Sequence, residues 1–192
     1  MELFCLVLAA YLVGSIPVGL ILGKLIWKKD LRQFGSRNIG ATNAWRVLGK
    51  KAGILVFILD FLKGQVGVLL GSHFIGTPEA MVIGGFFAIV GHVISIFTGF
   101  KGGKGVATGL GVLSILMPKV MAIVAVIWII LVVLTRYVSI GSIVAASLTP
   151  LLAAVFDMPG PYFAFALAAA VVIIWRHREN LKRLREGREN KF

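Results

Sequence analysis

The sequence predicts an all-α integral membrane protein of seven transmembrane helices, the fourth one short, with the amino terminus outside and the carboxy terminus in the cytoplasm. Three observations carry this expectation. The 192 residues are 58% hydrophobic and 15% charged, against roughly 45–50% and about 25% in soluble domains. Mean hydropathy is +0.94, an excess that a 20.7 kDa globule cannot hide, because small domains bury too little of their surface. Finally, 20 basic and 8 acidic residues give a formal charge of +12, and the basic ones are spaced unevenly along the chain.

The elements follow in order. Residues 3–27 form the first apolar run, which lacks a basic start and ends in Lys28 and Lys29. It reads as a span rather than a signal peptide, with Pro17 as an expected kink. Residues 52–75 and 80–100 are long enough to cross a bilayer. Residues 105–117 reach only about 20 Å as a helix, short of a ~30 Å hydrocarbon core. They read as a short span or as half of a re-entrant pair. Residues 120–135, 138–156 and 162–175 complete the set. With seven crossings, every lysine and arginine of the loops and tail except Lys119 falls on one side. Merging the fourth and fifth spans would set Lys101 and Lys104 opposite Arg136, so the positive-inside rule favours seven. Small residues four apart at Gly19–Gly23, Gly67–Gly71 and Gly105–Gly109 suit close helix packing. One domain, 1–192, is expected.

Composition also excludes function classes. Cys5 is the single cysteine, so no intramolecular disulfide forms, and no cysteine–histidine cluster suits zinc. A soluble enzyme, a secreted scaffold and a zinc protein are excluded. The positive charge points to anionic lipid or anionic substrates rather than nucleic acid. Nothing in the sequence fixes the oligomeric state, and a monomer is compatible with it.

Polar residues gather in three segments on the expected cytoplasmic side. The first, residues 34–51, reads F-G-S-R-N-I-G-A-T-N-A-W-R-V-L-G-K-K. Its Ser36, Asn38, Thr42, Asn43 and Arg46 offer donors suited to phosphate oxygens. Composition alone leaves a solvated basic loop equally open. The second runs G-F-K-G-G-K-G-V-A-T from Gly99 to Thr108, into the short fourth helix. It differs from Walker A in glycine spacing and in having Gly105 after Lys104. Lys101, Lys104, the backbone N–H groups of Gly102, Gly103 and Gly105, and a helix N-terminus favour an anion site over a tight basic turn. The third is the tail from Arg176, where Leu181 and Leu184 share a helical face suited to the membrane surface. His177 and Asn180 face inward in the other reading of this tail. Arg136, Ser139 and Ser142 flank the start of the sixth span. The N-termini of spans two, four and six converge on this side, which suits multivalent anions. Asp60 and Lys63, three apart within the second span, read as a bracing pair.

These motifs resemble a known family. Gly35-Ser36-x-Asn38-x-Gly40-Ala41-Thr42-Asn43 with Arg46, then Phe100-Lys-Gly-Gly-Lys-Gly-Val-Ala-Thr108, then His177-x-x-Asn180-Leu-x-Arg183-Leu-x-x-Gly187-x-Glu189 are similar to three motifs of the bacterial acyl-phosphate:glycerol-3-phosphate acyltransferases (PlsY-type). The likeness extends to chain length, span number and the stretch around Gly14-Ser-Ile-Pro17. It implies a multi-pass enzyme of the bacterial inner membrane, active at the cytoplasmic face. Such an enzyme moves an acyl chain from acyl phosphate to the 1-hydroxyl of glycerol 3-phosphate, giving lysophosphatidic acid and phosphate. The resemblance further implies no cofactor, no metal, and no use of acyl-CoA or acyl carrier protein. Ser36, Arg46, His177 and Asn180 are the implied catalytic residues, and the charge of Lys104 adds it to that set as the expected stabiliser of the developing oxyanion and departing phosphate. Asn38, Thr42, Asn43, Lys101, Gly102, Gly103, Gly105, Thr108, Arg136, Ser139 and Ser142 are the expected substrate-binding set, and Glu189 a structural one.

The chemistry agrees. Each substrate carries a phosphate of charge near −1.5 to −2, which the lysines and arginines would compensate. Acyl phosphate is already activated, so no nucleophilic serine or cysteine is required, and no G-x-S-x-G elbow occurs. The residues five after His73, His92 and His177 are Pro78, Phe97 and Lys182, so the His-four-residues-Asp signature of other glycerolipid acyltransferases is absent. The proton of the attacking hydroxyl goes either to His177 or to the donor's own phosphate. An anion transporter would place polar groups on both faces and at the midplane. Here the external half holds little beyond Gly76, Pro78, Pro118, Pro159 and Gly160.

Overall fold

The computed structural model describes residues 1–192 and is all-helical. Helices α1 (Glu2–Ser15) and α2 (Val18–Leu25) are one apolar segment broken at Ile16 and Pro17. The proline ring has no N–H to continue the helical ladder, which is why the break falls there. A 3-10 turn (Leu31–Gln33) leads into α3 (Ala41–Leu48), followed by α4 (Lys50–Phe74) and α5 (Pro78–Val93). Thr77 caps α5 by accepting from Ala80 N at 3.3 Å, with Pro78 in the first turn where its missing N–H costs nothing. A second 3-10 turn (Ile96–Thr98) precedes α6 (Val106–Leu116), α7 (Pro118–Thr135), α8 (Val138–Val155), α9 (Gly160–Arg176) and α10 (Arg178–Arg185).

Every apolar run of the sequence is helical, but not every one is long enough to cross a bilayer. Five segments are: Glu2–Leu25, Lys50–Phe74, Pro78–Thr98, Pro118–Thr135 and Val138–Val155. A sixth exists if α9 and α10, bent by 51° at His177, count as one. Helix α6 has 11 residues, about 16 Å of rise, and α9 alone has 17. The length criterion thus supports five or six crossings where the sequence suggested seven. A second finding concerns residues 34–51, for which composition left a solvated basic loop and a phosphate-binding segment equally open. Here Gly40 opens the amphipathic helix α3, which ends at Gly49 with φ +95°.

The chain forms two compact units, residues 1–112 and 113–192, divided inside α6. In the first, α1, α4 and α5 approach through glycines. A Cβ on Gly14 would lie 2.1 Å from Ala88 O, and one on Gly71 would lie 2.2 Å from Ala80 O. Apolar side chains gain little from meeting one another in lipid, so helices associate by such close backbone contact. The break at Pro17 leaves carbonyls that need donors. Ser95 Oγ donates to Ser15 O at 2.5 Å, and Lys63 Nζ donates to Ile16 O at 3.1 Å. Lys63 also pairs with Asp60 at 2.8 Å, both side chains being buried. In the second unit, Gly141 of α8 lets the helix close on Trp128 and Val132 of α7.

Candidate active site

Asn43 organises the first polar segment. This side chain is buried at the start of α3, and its Oδ1 accepts from Ser36 N at 2.9 Å. Its Nδ2 donates to Asn38 O at 2.8 Å and to Leu31 O and Phe34 O, both at 3.1 Å. Asn38 closes an Asx turn, accepting from Gly40 N at 2.9 Å. Gly35 has φ +59°, and a Cβ there would meet Asn43 Oδ1 at 2.3 Å, so both turn and contact demand glycine. Ser36 is thereby held half-buried at the loop surface. Thr42 and Arg46, four apart on α3, share one helical face.

The glycine–lysine loop differs from expectation in one respect. Gly102 N donates to Val93 O at 3.1 Å, and Gly103 N donates to His92 O at 2.9 Å. These two N–H groups satisfy the C-terminal carbonyls of α5, so they are not the open anion donors the sequence suggested. The loop carries Lys101, exposed, and Lys104, half-buried, on either side of the paired glycines. Gly105, with φ +85°, turns the chain into α6, where Thr108 is fully buried.

His92 is the residue sequence reasoning missed. Its Nδ1 lies 3.5 Å from Asp60 Oδ1, and its ring packs on Gly103. The available signal was a histidine within an apolar span, where a polar side chain needs a partner.

The second unit gathers a different set around Glu189. This carboxylate accepts from Ser139 Oγ at 3.0 Å, from Asn180 Nδ2 at 2.6 Å and from Arg183 Nε at 2.7 Å. Burial alone would raise its pKa, but the hydrogen bonds from Asn180, Arg183 and Ser139 outweigh that and hold it below the ordinary 4.5. Asn180, Ser139 and His177 are all buried. His177 sits at the bend between α9 and α10, and its Nδ1 lies 2.7 Å from Ile173 O. A carbonyl can only accept, so Nδ1 carries the proton and Nε2 is the basic nitrogen of the neutral ring. Ser142 Oγ accepts from Trp128 Nε1 at 3.1 Å and donates to Val138 O at 2.8 Å. Arg136 is exposed, and its carbonyl accepts from Phe192 N at 2.7 Å, which returns the tail to the start of α8.

Of the residues singled out from sequence, Ser36, Asn38, Thr42, Asn43, Arg46, Lys101 and Lys104 therefore lie in the first unit. Arg136, Ser139, Ser142, His177 and Asn180 lie in the second.

Residues 4–187 match the family model described as glycerol-3-phosphate acyltransferase. A glycerol-3-phosphate acyltransferase of Fusobacterium nucleatum is 43% identical over 192 residues, covering 100% of this chain and 99% of the relative. One from Carboxydothermus hydrogenoformans is 44% identical over 185 residues, covering 96% and 94%. Among solved structures, PlsY, an integral membrane glycerol 3-phosphate acyltransferase, is similar in its glycerol 3-phosphate form with a TM-score of 0.94. That structure is 42% identical, with 100% of this chain and 96% of that one covered. Its lysophosphatidic acid form gives a TM-score of 0.92 at 41% identity, with the same coverage.

Proposed function

We propose, for a chain that belongs to the glycerol-3-phosphate acyltransferase family, that the acyl donor is acyl phosphate and the product 1-acylglycerol 3-phosphate (lysophosphatidic acid). The observation that carries this reading is the likeness along the whole chain to PlsY in both its glycerol 3-phosphate and lysophosphatidic acid forms. These are an acceptor and its acylated product.

The 1-hydroxyl oxygen of glycerol 3-phosphate attacks the acyl carbonyl, the ester bond forms and the acyl–phosphate bond breaks. The hydroxyl proton leaves on the departing phosphate. No covalent enzyme intermediate is needed, because the donor is a mixed anhydride with a stable anion to expel. The enzyme's task is then to bind two polyanions, orient one hydroxyl and stabilise the developing oxyanion. We assign phosphate binding to Lys101, Lys104, Arg46, Ser36, Asn38, Thr42 and Arg136, with Lys104 also stabilising the oxyanion. His177, with Nδ1 committed to Ile173 O, orients the acceptor by receiving the hydrogen bond of its 2-hydroxyl at Nε2, which leaves the 1-hydroxyl proton to the donor phosphate, and Asn180 assists. Asn43, Ser139 and Ser142 serve by holding these groups, since each is buried and hydrogen-bonded within its own unit. Gly105 and Thr108 set the start of α6 beside Lys104.

We further read residues 1–192 as one acyltransferase domain that crosses the bacterial inner membrane seven times. Helix α6 lies in a thinned region, with the amino terminus outside and the reaction at the cytoplasmic face. The one-sided distribution of lysine and arginine supports this orientation.

The test is phosphate release by the purified full chain in lipid, given palmitoyl phosphate with and without glycerol 3-phosphate. Acceptor-dependent release, abolished in Lys104→Ala and absent with palmitoyl-CoA, is the expected result. Turnover of the CoA ester at a comparable rate would overturn the donor assignment.

A further inference from the structure

His92 takes no part in the chemistry above, yet it touches both the intramembrane ion pair and the lysine loop. Its Nδ1 lies 3.5 Å from Asp60 Oδ1, and its carbonyl accepts from Gly103 N at 2.9 Å. A Cβ on Gly103 would lie 2.0 Å from His92 Nε2, and one on Gly102 would lie 2.0 Å from His92 O. Both positions are therefore closed to a side chain by His92 itself, within the protein. Charge balance does not call for the imidazole, because Asp60 and Lys63 already neutralise each other at 2.8 Å. Lys63 is tied in turn to Ile16 O, at the break before Pro17. A rigid chain of contacts thus runs from the first span through Lys63, Asp60 and His92 to the turn that separates Lys101 from Lys104.

We propose that His92 is a positioning residue: clamped by Asp60, it seats the Gly102–Gly103 turn so that Lys101 and Lys104 are held ready for the phosphate of glycerol 3-phosphate. The identity of that ligand rests on the acyl-transfer reading, but the positioning itself does not. A turn that is not seated must be ordered when the phosphate binds, and that cost falls on affinity rather than on the bound complex. The paired glycines then matter because they fit against His92, not because their N–H groups meet the ligand.

The experiment compares the full chain with His92→Ala, His92→Asn, Gly103→Ala and the double variant His92→Ala/Gly103→Ala. Thermal stabilisation by glycerol 3-phosphate alone is read beside KM and kcat. In His92→Ala, KM for glycerol 3-phosphate rises about tenfold or more while kcat at saturation stays within about threefold. His92→Asn, whose amide can donate to Asp60 from the Nδ1 position, recovers most of the affinity. Gly103→Ala alone costs about tenfold or more, but little further in the His92→Ala background, where the space left by the ring accepts the methyl group. Unchanged KM in His92→Ala, or additive losses in the double variant, would overturn the proposal. Should His92→Ala fail to fold, His92→Gln replaces it. That variant loses the donor to Asp60 and must bind more weakly than His92→Asn, or the proposal fails. If the parent chain transfers no acyl group, the acyl-transfer reading falls. Phosphate-dependent stabilisation, measured with inorganic phosphate across the same variants, still decides the role of His92.

Discussion

Asp60 and Glu189 are both withdrawn from water, and they solve that problem in different ways. Asp60 lies in the middle of a membrane span and is met by a full cation three residues away, with His92 on the next helix at 3.5 Å. Glu189 lies in the tail and is met by a hydroxyl, an amide and a guanidinium whose side chain is 30% exposed. Lipid offers no water to share the charge, so Asp60 needs a local counter-ion. Glu189 is close enough to solvent to be held by hydrogen bonds gathered from distant positions. The first arrangement fixes helices, whereas the second fixes the orientation of one amide, that of Asn180, to which we assign a part in orienting the acceptor.

The sharpest way to break this contrast is Asp60→Ala. It strands the Lys63 ammonium, buried to 6% exposure, with the Ile16 carbonyl as its other partner. The loss expected for an uncompensated buried charge is about 3–5 kcal/mol, read as a fall in thermal midpoint and in monodisperse yield after solubilisation. Asp60→Ala combined with Lys63→Met should recover most of that loss, because it removes both charges. Equal damage from the single and double variants would mean that charge compensation is not what Asp60 provides.

Glu189→Ala is expected to act less on stability and more on catalysis. Hydrogen bonds to a charged group contribute about 1.5–3 kcal/mol, and the partial exposure of Arg183 brings the expectation to the lower end. Turnover per bound substrate should fall further, because Asn180 loses the acceptor that fixes its amide. The pH dependence has a definite sign. The folded pKa is depressed, so the stabilisation is complete above the ordinary value of 4.5 and is lost as pH falls through the folded value. Thermal midpoints measured from neutral to acid pH should show that limb in the parent and lack it in Glu189→Gln. An identical acid limb in both would assign it to another carboxylate.

The same contrast explains what could be read from the sequence. The Pro17 break, the apolar runs and the Asp60–Lys63 pair were legible because each depends on neighbours within a turn or two. Helix α3 was not, since its eight residues, with Thr42 and Asn43 in the first turn, are bracketed by Gly40 and Gly49 and lie in a stretch whose glycines and polar residues read as a loop; the burial of Asn43 and Ala44 comes from tertiary contacts. Nor was the use of Gly102 N and Gly103 N, which is settled by where α5 happens to end. Glycine and lysine composition signals an anion loop without saying which N–H groups remain available. The gathering of Ser139, Asn180 and Arg183 on Glu189 joins positions 50, 9 and 6 residues apart. No local period encodes such a set.

His177→Gln tests the role proposed for the histidine of the second unit. Glutamine places an acceptor near the position of Nε2 but is not basic, so it weakens the orienting hydrogen bond and removes proton acceptance. With the proton leaving on phosphate, KM for glycerol 3-phosphate should rise about tenfold, equivalent to roughly 1.4 kcal/mol, while kcat changes little. A fall in kcat of about 10²-fold or more would instead make His177 the general base.

Asp30 completes the series as the surface member. Its carboxylate caps the turn Leu31–Gln33 by accepting from Arg32 N at 3.0 Å, and it pairs with the Arg32 guanidinium at 2.7 Å and Lys24 Nζ at 3.3 Å. The Arg32 guanidinium, first among these contacts, holds the carboxyl well below its ordinary range. A shift of that size in a buried group would imply a large stake in folding. Here Lys24 and Arg32 are about half exposed, so water and salt screen the pairing and the contribution shrinks to about 0–1 kcal/mol. Asp30→Asn keeps the cap and loses only the charge. It should therefore lower the thermal midpoint slightly at low salt and not at all near 1 M, where the Debye length is about 3 Å. Asp60→Ala should be insensitive to salt, because its partners lie where ions do not reach. If both variants responded to salt alike, burial would not be what separates these carboxylates, and the ranking from Asp60 through Glu189 to Asp30 would collapse.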